Sequence, residues 1–206
     1  MPIGPTWVVL ALPRGGVPVA YEVARALHAP LDVFVVRKLG MPGHEELAMG
    51  AIATGGVKVL NEEFTSAMGI PQSLIDAIAR REQEELQRRE RLYRGARPLP
   101  NVRGRIVILV DDGLATGSTM RAAALALRKM QPSKVIVAVP VGAQESCDEF
   151  RGDVDEVVCA ITPVPFMAVG AWYADFSQTS DEEVRQLLQQ AGAHEPDSLS
   201  PGGDVA

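Results

Sequence analysis

The sequence predicts an α/β protein built on a doubly wound, mostly parallel central sheet flanked by helices. Four β-branched apolar runs, at 7–12, 31–36, 105–110 and 134–139, with a fifth candidate at 156–161, lack polar alternation. That is how strands covered on both faces read. Helical periodicity falls between these runs, so strand, tight loop, helix and strand repeat along the chain. This is the unit of the doubly wound class, with right-handed crossovers.

In order, the first strand runs into Leu12-Pro13-Arg14-Gly15-Gly16-Val17, a Gly-rich turn that opens a helix over 17–27. His28 suits the C-terminal cap of that helix or a surface position. The second strand ends on Arg37-Lys38, and the Gly- and Pro-punctuated stretch 39–53 reads as a loop. A long helix starts at Pro71 and continues to Arg94. Leu74, Ile75 and Ile78 share one face, and Glu84, Glu85 and Glu90 each precede an Arg by four residues, so the helix reads as solvated, with packing that could support a dimer. Further helices are expected over 119–130 and 145–151. From Ala191 the Pro, Gly, Ser and acidic content predicts a disordered tail or interdomain linker, with His194 solvated. The expected organisation is one domain over 1–190, with its core at about 6–161.

With 206 residues and 47% hydrophobic content, the chain has ample material for one core. A net charge of -6 argues against nucleic-acid binding by general electrostatics. Cys147 and Cys159 lack metal-ligand spacing, so buried reduced thiols of a cytoplasmic protein are expected. No apolar run approaches the roughly 20 residues of a membrane span, and the N-terminus has no signal-peptide pattern.

The chemistry concentrates in Val107 to Met120, VILVDDGLATGSTM, where an apolar strand ends on two carboxylates. Beside a buried strand such charges are costly without a partner. Ligands of open α/β sheets gather outside the carboxyl ends of strands, where this stretch should lie. Ala115, Thr116, Gly117, Ser118 and Thr119 lead into a helix whose first turn offers free N–H groups and a positive dipole end, a cradle for one phosphate. A Walker lysine and a G-x-G-x-x-G fingerprint are both absent. Asp111 and Asp112, acceptor-only groups, suit the vicinal hydroxyls of a ribose attached to that phosphate.

This order of strand, acid pair and Thr-Gly-Ser-Thr loop resembles the phosphoribosyl pyrophosphate (PRPP) motif of type I phosphoribosyltransferases, and the resemblance extends over about 8–188. It implies transfer of the 5-phosphoribosyl group from PRPP to a nitrogenous, nucleobase-like acceptor with release of pyrophosphate, as in nucleotide salvage. Arg14, Gly15 and Gly16 would hold the pyrophosphate, the loop 115–119 the 5-phosphate, and Asp111, Asp112, Arg37 and Lys38 would be the catalytic groups. Arg37 and Lys38 would also neutralise the leaving group, although an Arg-Lys pair equally marks a solvated strand end. Mg²⁺ is the implied cofactor, held mainly by PRPP and water, with Asp111 or Asp112 as further candidate contacts. The 39–53 loop, carrying His44, Glu45 and Glu46, would close over the site; a loop histidine is otherwise simply solvated. A small C-terminal hood over 162–190, with Phe166, Trp172 and Tyr173, would cover the acceptor, and the same aromatics equally suit core packing. Many relatives carry an element before the first core strand, whereas here the core begins almost at Thr6. The family implies a homodimer. The fold also hosts regulators that bind PRPP without turnover, which is the alternative reading.

Overall fold

The computed structural model describes residues 7–193. Five strands, β1 (Trp7–Ala11), β2 (Leu31–Val33), β6 (Ile106–Val110), β7 (Lys134–Val141) and β8 (Glu156–Ile161), form one sheet in the order β2-β1-β6-β7-β8. Every neighbouring pair in it is parallel. Successive residues serve opposite faces: Val9, Ala11, Ile108 and Val110 pack in one cluster, whereas Val8, Leu10, Val107 and Leu109 pack in the other. Two-sided burial accounts for the unbroken apolar runs.

On the first face lie α1 (Gly16–Leu27), α3 (Gln72–Arg94) and α6 (Asp181–Ala193); on the second lie α4 (Ser118–Lys129) and α5 (Gln144–Phe150). The chain order runs from β1 to β2 on one side and resumes at β6 on the other. The strand order therefore reverses between β1 and β6, and a crevice opens at their carboxyl ends.

The stretch 39–53 is not an irregular loop. Val36–Met41 (β3) and His44–Ala53 (β4) form an antiparallel hairpin, which β5 (Val57–Leu60) extends to a three-stranded sheet. Pro42 and Gly43, whose φ is +79°, form the turn, so the residues that suggest a loop instead connect two strands. Leu39 and Met49 are fully buried. Helix α2 (Glu62–Ala67) follows, capped by Asn61, whose side chain accepts from the Phe64 amide.

Helix α3 differs from a simply solvated helix. Ile75, Ile78 and Leu86 are buried in the core, and so are Glu82 and Arg94. Arg94 donates from Nε to Asp32 Oδ2 at 2.8 Å and from Nη2 to the Val33 carbonyl at 2.9 Å, pinning the helix end to β2. Burial pushes the Asp32 carboxyl up, and the Arg94 guanidinium opposes that shift. On the exposed face, Glu85 pairs with Arg88 and Arg89, and the buried Arg94 also lies 3.5 Å from Glu90. His28 caps α1 in the left-handed conformation.

Three further expectations change. Cys147 and Cys159 are joined in a disulfide rather than free, because α5 folds back beside β8 and brings two residues 12 apart in sequence together. The segment assigned to the hood divides: 162–180 is irregular apart from one 3-10 turn at Val169–Trp172, whereas α6 buries Val184 and Leu188 against α1 and α3 as part of the core. That helix continues to Ala193, past the expected start of the tail. The remainder of the tail, His194 included, lies outside the described residues, as does Thr6. No helix among the described residues is long and apolar enough to cross a membrane.

Candidate active site

The site assembles where β1 and β6 end. After β1, Pro13–Arg14 is a cis peptide, and the chain turns into α1 through Gly15 and Gly16. These glycines are required by space. A Cβ on Gly15 would lie 2.0 Å from Asp112 Oδ2, and one on Gly16 would lie 2.7 Å from the Val110 carbonyl oxygen and 2.8 Å from Asp111 Cα. The first turn is thus pressed against the acid pair that follows β6.

The two acids occupy different surroundings. Asp111 turns inward beside Gly16, where its Oδ1 accepts from the Asp112 amide at 2.9 Å. Burial pushes its carboxyl up to about 7, the Asp112 charge adds to the shift, and that one N–H opposes it. Asp112 lines a cavity of about 590 Å³ together with Arg14 and Gly15. Its carboxyl is also raised by burial, against hydrogen bonding from the Gly113 amide. The sequence leaves open which acid faces a ligand, and the structure brings Asp112 to the cavity.

Residues 115–119 bend around Gly117, whose φ of +68° and contact with Phe150 leave no room for a side chain: a Cβ there would sit 2.3 Å from the ring. Ser146 of α5 donates its hydroxyl to the Ala115 carbonyl, and the Ala143 amide donates to the Leu114 carbonyl at 2.9 Å, so α5 buttresses the loop. Thr116, Ser118 and Thr119 are exposed, leaving the loop open at the start of α4.

The expected cations divide. Lys38 Nζ reaches Ser118 Oγ at 2.7 Å, which brings the end of the second predicted strand to the phosphate-sized loop. Arg37 is held by Glu82 of α3, with Nε and Nη2 at 2.9 and 2.7 Å from Oε2. Arg14 borders the cavity and lies 3.7 Å from Asp181, which also accepts from the Tyr93 hydroxyl at 2.7 Å. His44 begins β4, exposed at the hairpin tip, and the side chains of Glu45 and Glu46 lie outside the described residues.

The outer wall of the cavity comes from Tyr173, from 175–179 and from Glu183 of α6. Tyr173 donates its hydroxyl to the Asp112 carbonyl at 2.6 Å and packs on Phe176, ring centroids 5.1 Å apart. Burial and the two aspartate charges push Tyr173 up to about 12, so its proton stays in place. Phe166 and Trp172 do not belong to the wall. Sequence reasoning missed Glu82, Asp175 and Glu183; the acids beside the aromatic cluster were the only signal for the last two, and Glu82 was hidden in a charge run.

Among the described residues no cluster of three or more metal-ligating side chains occurs. One cavity-lining carboxylate beside a buried one is a donor set for Mg²⁺, which keeps most of its waters and takes few protein ligands when substrate phosphates complete its shell.

A parallel sheet carrying a phosphate-sized loop and an acid pair at its switch point defines the type I phosphoribosyltransferase class. The chain belongs to the phosphoribosyl transferase domain family, which it matches over residues 4–172. It is 50% identical over 188 residues to a Mycobacterium tuberculosis protein named "Putative phosphoribosyl transferase Rv0571c", covering 91% of this chain and 42% of that protein. The chain thus spans less than half the length of the curated relatives it matches first. It is 31% identical over 130 residues to the "Bifunctional protein PyrR" of Corynebacterium diphtheriae, covering 60% of this chain and 66% of that one. The crystal structure of TT1426 from Thermus thermophilus superimposes with a TM-score of 0.81 at 44% identity, over 90% of this chain and 88% of that one.

Proposed function

We propose that the protein is a Mg²⁺-dependent phosphoribosyltransferase that moves the 5-phosphoribosyl group of PRPP to a nitrogenous acceptor, releasing pyrophosphate, within nucleotide salvage. The observation that carries this reading is the apposition of Gly15 and Gly16 to Asp111 and Asp112 at the switch point, within a chain of this family.

In this reading the amides and hydroxyls of 115–119, at the positive end of α4, hold the 5-phosphate. Asp112 accepts from the ribose hydroxyls, and the buried Asp111 fixes the strand end beneath it. The acceptor nitrogen forms a bond to C1 as the bond from C1 to the pyrophosphate oxygen breaks, through an oxocarbenium-like transition state. Bound Mg²⁺ would neutralise charge on the departing pyrophosphate, with Asp111 or Asp112 near it or near its waters. Arg14, the amides of the Gly15-Gly16 turn and Lys38 supply the protein's share of that neutralisation. Arg37, already engaged by Glu82, contributes less. Closure of the hairpin over 39–53 would keep water from C1. A homodimer is part of the same proposal.

The test is incubation with PRPP, Mg²⁺ and a panel of nitrogen acceptors, following pyrophosphate release. Release that depends on both an acceptor and Mg²⁺ supports the reading. PRPP binding without turnover across the panel replaces it with the PRPP-binding regulator.

A further inference from the structure

The cavity beside Asp112 has an outer wall whose chemistry narrows the acceptor. That wall combines Asp175, Ser177, Gln178 and Thr179 with Glu183 from the first turn of α6. Hydroxyls and an amide either donate or accept, so they discriminate little, whereas carboxylates only accept. Asp175 is held ionised, because the Ser177 amide donates to its Oδ1 at 2.8 Å and lowers its proton affinity. Glu183 makes no ion pair among the described residues, and its amide donates to Ser180 Oγ at 3.1 Å. The cavity's one cation among the described residues, Arg14, lies 3.7 Å from Asp181, in the same first turn of α6 as Glu183. The cavity's carboxylates, Asp112, Asp175 and Glu183, therefore outnumber its one cation, which Asp181 already engages.

We propose that Asp175 and Glu183 select an acceptor that donates both hydrogens of an exocyclic amino group, a neutral or cationic amino-bearing heterocycle, and reject acceptors bearing a carboxylate. A carboxylate-bearing acceptor would meet two acids there and only a cation already engaged by Asp181, and bringing like charges together is unfavourable. An amino group places its donors on them instead. Tyr173 and Phe176 supply apolar ring surface beside the same wall. This inference rests on the phosphoribosyl-transfer reading only for the name of the ligand, since the wall's preference is measurable as binding alone.

The experiment is calorimetry on the whole chain loaded with Mg²⁺ and pyrophosphate, titrating adenine and cytosine against hypoxanthine and uracil, their oxo counterparts, and against orotate and nicotinate. Pyrophosphate release from PRPP is followed with each compound in parallel. The expected result is at least tenfold tighter binding of the amino member of each pair, no binding of the carboxylates, and at least a tenfold loss of amino-ligand affinity in Asp175→Asn with Glu183→Gln. PRPP affinity of that variant, measured alongside, separates loss at the wall from loss of the fold. Amino-selective binding without turnover upholds the inference while removing the transfer reading. Equal or tighter binding of a carboxylate or oxo compound, indifference of the double variant, or no binding by any compound up to millimolar concentration overturns it.

Discussion

Asp111 makes a prediction that separates stability from function. Its carboxyl, about 7 in the folded protein, titrates near 3.8 in the unfolded chain. Between these values the folded state binds the extra proton, so the contribution of Asp111 to stability falls as pH rises through this window and stays low above it. About three units at roughly 1.4 kcal/mol each give a penalty of about 4 kcal/mol above pH 7. Asp111→Asn removes the charge while its side-chain oxygen still accepts from the Asp112 amide. Urea unfolding of both proteins from pH 4 to pH 8.5 reads the difference. The variant should match the wild type near pH 4 and become progressively more stable than it toward pH 8, by up to about 4 kcal/mol. A difference between the proteins that does not change with pH, or one that grows toward acid, refutes the assignment of a buried, charge-crowded Asp111.

Two other perturbations follow from packing. Gly117→Ala puts a Cβ into the Phe150 ring at a positive φ, which should cost about 2–4 kcal/mol and weaken PRPP binding; unchanged thermal stability with unchanged PRPP affinity would show that the loop does not hold this shape. Cys147→Ser with Cys159→Ser opens a short covalent loop, which should lower stability by about 3 kcal/mol, and reduction of the wild type should reproduce that loss; coincident melting of oxidised, reduced and doubly substituted proteins would argue that the bond is not formed in solution.

The parallel sheet was legible because two-sided burial writes itself as β-branched runs, and the boundaries of β1, β6 and β8 lie within a residue of those expected. The acid pair and the hydroxyl loop were legible because adjacent carboxylates at the end of a buried strand are costly without a partner, and small hydroxyl residues at a helix start suit an anion. The hairpin of β3 and β4 was not, since its Pro42-Gly43 turn and its glycines carry the same local signals as a loop, and pairing across the hairpin decides the outcome. Helix α3 misled for a related reason: Glu82 and Arg94 look solvated until Arg37 and Asp32 arrive from distant strands to neutralise them. Likewise the Cys147–Cys159 bond depends on where α5 returns to β8, and the carboxylate wall of Asp175 and Glu183 on how α6 docks against α1.

In the proposed function, the turn after β6 grips a phosphorylated sugar through its hydroxyls. Calorimetric titration of PRPP with Mg²⁺ into the wild type and into Asp111→Asn with Asp112→Asn tests it most directly. Measurable binding by the wild type is expected, with at least a tenfold weaker affinity in a variant whose circular dichroism matches it. Equal affinity in the two folded proteins, or no PRPP binding by the wild type, would contradict it.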